Sequence, residues 1–60
     1  MNRTLLDLCY EVGTIVNVDV ARAYEYAQEY YNTDRKIDLD IIIEKDYDNL
    51  KQFIINKVNQ

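Results

Sequence analysis

The sequence predicts an all-α domain of three helices, a helical hairpin followed by a long C-terminal helix. Three observations carry that expectation. Apolar residues recur at helical spacing in three separate stretches. Asn and Asp stand where those stretches begin and end. Proline is absent, and Gly13 is the single glycine. The chain of 60 residues is read as one small domain spanning 1–60.

The first helix is expected over roughly 3–16. At about 100° per residue, Leu5, Leu8, Cys9, Val12, Ile15 and Val16 fall on one stripe, with Arg3, Asp7, Tyr10, Glu11 and Thr14 opposite. Asn2 is the expected N-cap. Gly13 costs about 1 kcal/mol relative to Ala inside a helix, so either a neighbouring helix approaches there or the helix stops there.

The second helix is expected over roughly 18–32, capped by Asn17 or Asp19 and ended by the turn-forming "NTDRK". It contains "AYEYAQEYY", residues 23–31, which holds four of the six tyrosines. On a helical projection Tyr24 and Tyr31 share the core face with Ala23 and Ala27, while Tyr26 and Tyr30 lie on its shoulder. Tyrosine suits such a shoulder, because the ring buries area while the hydroxyl stays hydrated. Tyr26, Tyr30, Ala23 and Ala27 are therefore the expected partner-binding surface, and a homodimer is expected because so small a chain gains from extra burial.

The third helix is expected over roughly 39–58, capped by Asp38 or Asp40, with Leu39, Ile42, Ile43, Tyr47, Leu50, Phe53, Ile54 and Val58 on one face. The expected core is Leu5, Leu8, Val12, Val16, Val20, Ala27, Tyr31, Leu39, Ile43, Leu50, Phe53 and Ile54. A second reading competes. "IVNVDV" and "KIDLDII" alternate apolar and polar residues, which gives an α+β alternative with two short strands near 15–20 and 36–43. Two parallel strands would need helices on both faces, more cover than three short helices give.

The absent residues exclude whole classes of chemistry. There is no His and no Ser, so neither a serine triad nor a Cys–His pair can form. One glycine cannot build a phosphate-cradling loop. One cysteine and no histidine rule out an intramolecular disulfide and a zinc site made of sulfur and nitrogen ligands. The reading is therefore a non-enzyme with no catalytic residues, no metal and no cofactor. Cys9, on the apolar stripe of the first helix, is read as a buried, inert thiol.

Eleven acids against seven bases give a net charge of −4, which disfavours nucleic acid and anionic membranes as partners. Asp40, Glu44 and Asp48 would form one acidic stripe at i, i+4, i+8 on a helix. Hard cations favour oxygen ligands, but the spacing is not that of an EF-hand loop. The stripe is instead read as a hook for a basic protein partner, such as a DNA-binding protein whose nucleic-acid surface it masks. "MNRTLLDLCYEV" is too polar and broken for a signal peptide, and no apolar run approaches a membrane span, so the expected location is cytoplasmic.

Gly13 between two apolar stretches permits a helix-turn-helix reading, but the helix after it would carry Arg22 against Asp19, Glu25 and Glu29, which suits a phosphate-lined groove badly. In composition the chain resembles the short acidic helical proteins common among phage and plasmid genes, an analogy that carries no function. The expectation is a regulator or inhibitor that binds another protein. A small DNA-binding regulator and a structural subunit of an assembly are the alternatives.

Overall fold

The computed structural model describes residues 3–60. Three helices, α1 (Leu5–Val16), α2 (Val20–Tyr30) and α3 (Tyr47–Val58), pack pairwise against one another. The first two follow closely in the chain, and a long irregular crossover, residues 31–46, connects α2 to α3.

α1 begins at a capping box. Asp7 N–H donates to the Thr4 hydroxyl at 3.2 Å, and Thr4 N–H donates to the Asp7 carboxylate at 3.0 Å. The sequence-expected cap Asn2 lies outside the described residues. The helix passes through Gly13 and ends at Asn17, which adopts the left-handed conformation at φ 58°. Asn tolerates that region better than most side chains and closes many helices this way. Asp19 then caps α2 by accepting from Arg22 N–H at 2.9 Å, and Asn32 at φ 54° turns the chain away after it.

Gly13 has neither of its expected roles. No helix end falls there, and the group against it is not a neighbouring helix. A Cβ on Gly13 would sit 2.6 Å from the carbonyl oxygen of Val18, in the turn that reverses the chain. Glycine is what lets that turn close on its own helix. The helix-turn-helix reading takes Gly13 as the turn glycine, but the turn is at 17–19 and Gly13 lies inside α1.

The core follows the predicted stripes except at Ile15, which was expected on the first stripe and is exposed at the end of α1. Leu5, Leu8, Cys9, Val12, Ala23, Ala27, Tyr47, Leu50 and Ile54 are fully or almost fully buried, with Ile43 beside them. Val16, Val20, Tyr31, Leu39 and Phe53, also expected in the core, are partly buried against it. Ala23 and Ala27, one turn apart and fully buried, are small enough for neighbouring helices to pack closely against α2. Cys9 is fully buried, and desolvation pushes its thiol up to about 11.

The third helix is shorter than expected. It starts at Tyr47 rather than near Leu39, with Asp46 at the cap position in place of Asp38 or Asp40. The reason is non-local. Ile41 carbonyl accepts from Leu5 N–H at 2.9 Å, and Leu39 carbonyl accepts from Leu6 N–H at 3.0 Å. These are two of the N–H groups that the first turn of α1 leaves without helical partners. A helix over 39–46 would have drawn those carbonyls into its own ladder. Of the two strands in the alternative reading, residues 15–20 form the end of α1, its turn and the start of α2. Residues 36–43 contribute one isolated antiparallel bridge, Thr4 with Ile42.

Candidate interaction surface

The crossover is held by specific polar contacts, and they determine what it exposes. After α2, Asn32 N–H donates to Glu29 carbonyl and Thr33 N–H to Gln28 carbonyl. The Gln28 side chain then donates to Arg35 carbonyl at 2.9 Å. Tyr24 supplies the central clamp. Its hydroxyl donates to Ile37 carbonyl at 2.9 Å and accepts from Ile37 N–H, so one side chain satisfies both backbone groups of one residue. Asp38 shapes the next turn, where its carboxylate accepts from Asp40 N–H and its carbonyl accepts from Ile41 N–H.

Beyond that turn the chain runs along the start of α1. Ile43 N–H donates to Arg3 carbonyl at 3.1 Å, and Arg3 N–H donates to the Glu44 carboxylate at 2.6 Å. Ile43 turns inward and is buried, while Ile41 and Ile42 are 46% and 55% exposed. With Tyr31, Thr33 and Ile37 they line an open groove of about 520 Å³ whose wall is mainly apolar and whose rim includes Glu44, Lys45 and Asp46. Isolated exposed apolar residues are ordinary on protein surfaces, whereas these are adjacent and form one wall of a groove. Ile42 was expected on the buried face of a helix and is instead a surface residue.

A second polar cluster lies where α1 meets α3. Tyr47 hydroxyl donates to Glu11 at 2.6 Å, and Lys51 ammonium donates to the other Glu11 oxygen at 2.7 Å. The Arg3 guanidinium lies over the Tyr47 ring, 3.7 Å from its centroid. Lys51 and Tyr47 hold the Glu11 carboxyl below the usual carboxylate range. Burial, followed by the hydrogen bond to Glu11, pushes the Tyr47 phenol up to about 12. Both Glu11 oxygens are engaged within the chain, so this cluster joins two helices.

The sequence-predicted site residues are dispersed. Ala23 and Ala27 are fully buried in the chain's own core and have no surface to offer. Tyr30 packs edge-on against Tyr31 and Phe53, with ring centroids 5.1 and 5.3 Å away. Tyr26 lines a shallow hollow with Val18, Arg22 and Val58. The expected division of the tyrosines is not seen, since Tyr24, Tyr26, Tyr30 and Tyr31 are all partly buried against the core.

The acidic stripe is not a helical stripe either. Asp40 lies in the turn after Asp38, Glu44 in the turn before α3, and Asp48 in the first turn of α3. All three are exposed, and Glu44 pairs with Arg3 at 3.4 Å. Among the described residues, no group of three or more His, Cys, Asp or Glu side chains is placed to share a metal ion. No helix in them is long and apolar enough to cross a membrane.

No family model matches the chain, and no curated protein or solved structure is significantly similar to it.

Proposed function

We propose that this protein is a non-catalytic interaction module, an acidic regulator or inhibitor that acts by binding another protein. The observation that carries the reading is the groove beside Ile41 and Ile42, an apolar surface on the one long stretch that the chain leaves irregular. Its surroundings are acidic. Glu44 and Asp46 line it with Lys45 between them, Arg3 pairs with Glu44, and Asp38, Asp40 and Asp48 are near it in the chain. An apolar wall within an acidic margin favours a basic partner, drawn in by charge and retained by burial. A DNA-binding protein whose phosphate-facing surface becomes covered fits that description.

The reading is tested by affinity capture from source cells, with the native chain and an Ile41→Asp, Ile42→Asp variant as parallel baits. The expected result is a protein retained by the native chain, lost by the variant and released by rising salt. Equal recovery on both baits rejects the groove as the binding surface. Capture of DNA fragments instead would favour a DNA-binding regulator, and recovery at fixed stoichiometry within one particle would favour a structural subunit.

A further inference from the structure

We infer that Ile42 is the centre of a short β-edge onto which an extended, basic segment of the partner adds as a strand. The inference rests on the partner-binding reading and names the form and chemistry of what is bound. Its basis is the backbone. Thr4 and Ile42 face each other in an antiparallel bridge, with Leu5 N–H on Ile41 carbonyl and Ile43 N–H on Arg3 carbonyl on either side. Backbone groups along such a segment alternate in direction. The groups of Ile41 and Ile43 that point at α1 are thus used, and those of Ile42 point the opposite way. Among the described residues, neither Ile42 N–H nor Ile42 carbonyl has a hydrogen-bond partner. The apolar groove opens beside Ile42. An unpaired edge with an adjacent apolar groove is the arrangement that strand addition uses: the backbone supplies affinity and the groove takes alternate side chains.

Charge selects the occupant. A second copy at this edge would bring its own exposed Asp40 and Glu44 against the same two acidic side chains, and like charges in close range repel. A foreign segment carrying Lys or Arg near Asp40 and Glu44 meets the opposite situation. Asp40 is exposed, and both Arg3 contacts to Glu44 use the same carboxylate oxygen, which leaves Oε2 without a partner among the described residues. Asp46 lies on the same groove, with Lys45 between it and Glu44 in the chain and Arg3 paired to Glu44. The bound segment therefore carries basic residues beside apolar ones.

The test uses the whole chain labelled with ¹⁵N and three synthetic peptides of about six residues, the usual strand length. They are a Lys–Val alternating peptide, its Glu–Val counterpart, and the Lys–Val peptide with alternate amides N-methylated. The Lys–Val peptide should shift the amides of Ile42 and Glu44, slow exchange at Ile42 N–H, and bind more weakly as salt rises. The other two should bind at least about tenfold more weakly, a difference of about 1.4 kcal/mol. Ile42→Lys should abolish binding of the Lys–Val peptide with its circular dichroism unchanged. Equal binding of the N-methylated peptide, or no response to any peptide, overturns strand addition. Shifts confined to Tyr26 and Tyr30 overturn it as well, yet leave the partner-binding reading intact. That reading fails separately, in the capture experiment. Concentration-dependent shifts at Ile42 in the absence of peptide would make the occupant a second copy, and so also overturn the inference.

Discussion

The three-helix core and the 31–46 crossover are stabilised in different ways. The core is apolar and redundant. Leu5, Leu8, Val12, Leu50 and Ile54 are fully buried together, so no single pairing defines it. The crossover is polar and sparse. It depends on the Tyr24 hydroxyl, two N–H groups from the first turn of α1, and the contacts between Arg3 and the segment at Ile43 and Glu44. Losses in the core should therefore spread through the whole molecule. Losses in the crossover should remain local, and local freedom is a common property of binding segments.

The largest expected effect is in the core. Leu50→Ala should cost about 2–5 kcal/mol, and urea unfolding should show circular dichroism and tyrosine fluorescence lost together. If the crossover unfolded first in that variant, the two regions would be less tightly coupled than their shared core residue Ile43 implies.

Tyr24→Phe sharpens the contrast. It removes a donor and an acceptor from Ile37 while keeping the ring, at a cost of about 1–3 kcal/mol. Amide exchange should quicken over 31–46 with α1 and α3 little changed. A uniform increase across the chain would show that the clamp serves the global fold.

Gly13→Ala probes a backbone contact inside the helical region. Helix propensity alone favours the change by about 1 kcal/mol, but the added Cβ meets the Val18 carbonyl, and overpacking of this kind costs about 1–3 kcal/mol. The expected result is a net loss of about 1 kcal/mol in thermal unfolding. A net gain would mean that the 17–19 turn can move aside.

Tyr47 touches both regions, through Glu11 of α1 and Arg3 beside the crossover. Its phenol is pushed up to about 12 in the fold, against about 10 in an unfolded chain. The folded state thus holds that proton more tightly. The associated stability is fully present below about pH 10 and is lost as pH rises from there towards about 12. Glu11 has the opposite sign. Its lowered carboxyl contributes above the ordinary carboxylate range, and the contribution is lost as pH falls below it. Tyr47→Phe should flatten the alkaline limb of a stability–pH curve measured by urea titration. The smallest effect on folding belongs to Ile42→Lys, expected within about 0.5 kcal/mol of native because the side chain is exposed.

What the sequence made legible follows the same division. Helical periodicity located the buried stripes of α1 and α2, and the part of α3 from Tyr47 onward, because each stripe is a local pattern with one solution. "IDLDIII" has two. Leu39, Ile42 and Ile43 fit a helix face, whereas Ile37 and Leu39 alternate with Asp38 and Asp40 as an extended segment would. In the fold Ile37 and Leu39 pack on the core, and Asp38 and Asp40 face outward. The choice was made by carbonyls of residues 39 and 41 meeting amides of residues 6 and 5, pairs that no local window contains. The groove was hidden for the same reason. Its walls come from both ends of the crossover, and a helix over that segment places Ile42 on the buried face. Ala23 and Ala27 were expected on a partner surface, but the fold buries them between its own helices.

Cys9 adds a practical consequence. A lone thiol sealed in the core and pushed up to about 11 gives a labelling reagent almost nothing to attack while the fold is closed. Each labelling event therefore records one opening of the molecule. The rate of modification in native buffer becomes a clock for the rarest motions of the chain, read from a single atom. For the same reason, a disulfide between two copies would mark molecules that had opened before they met.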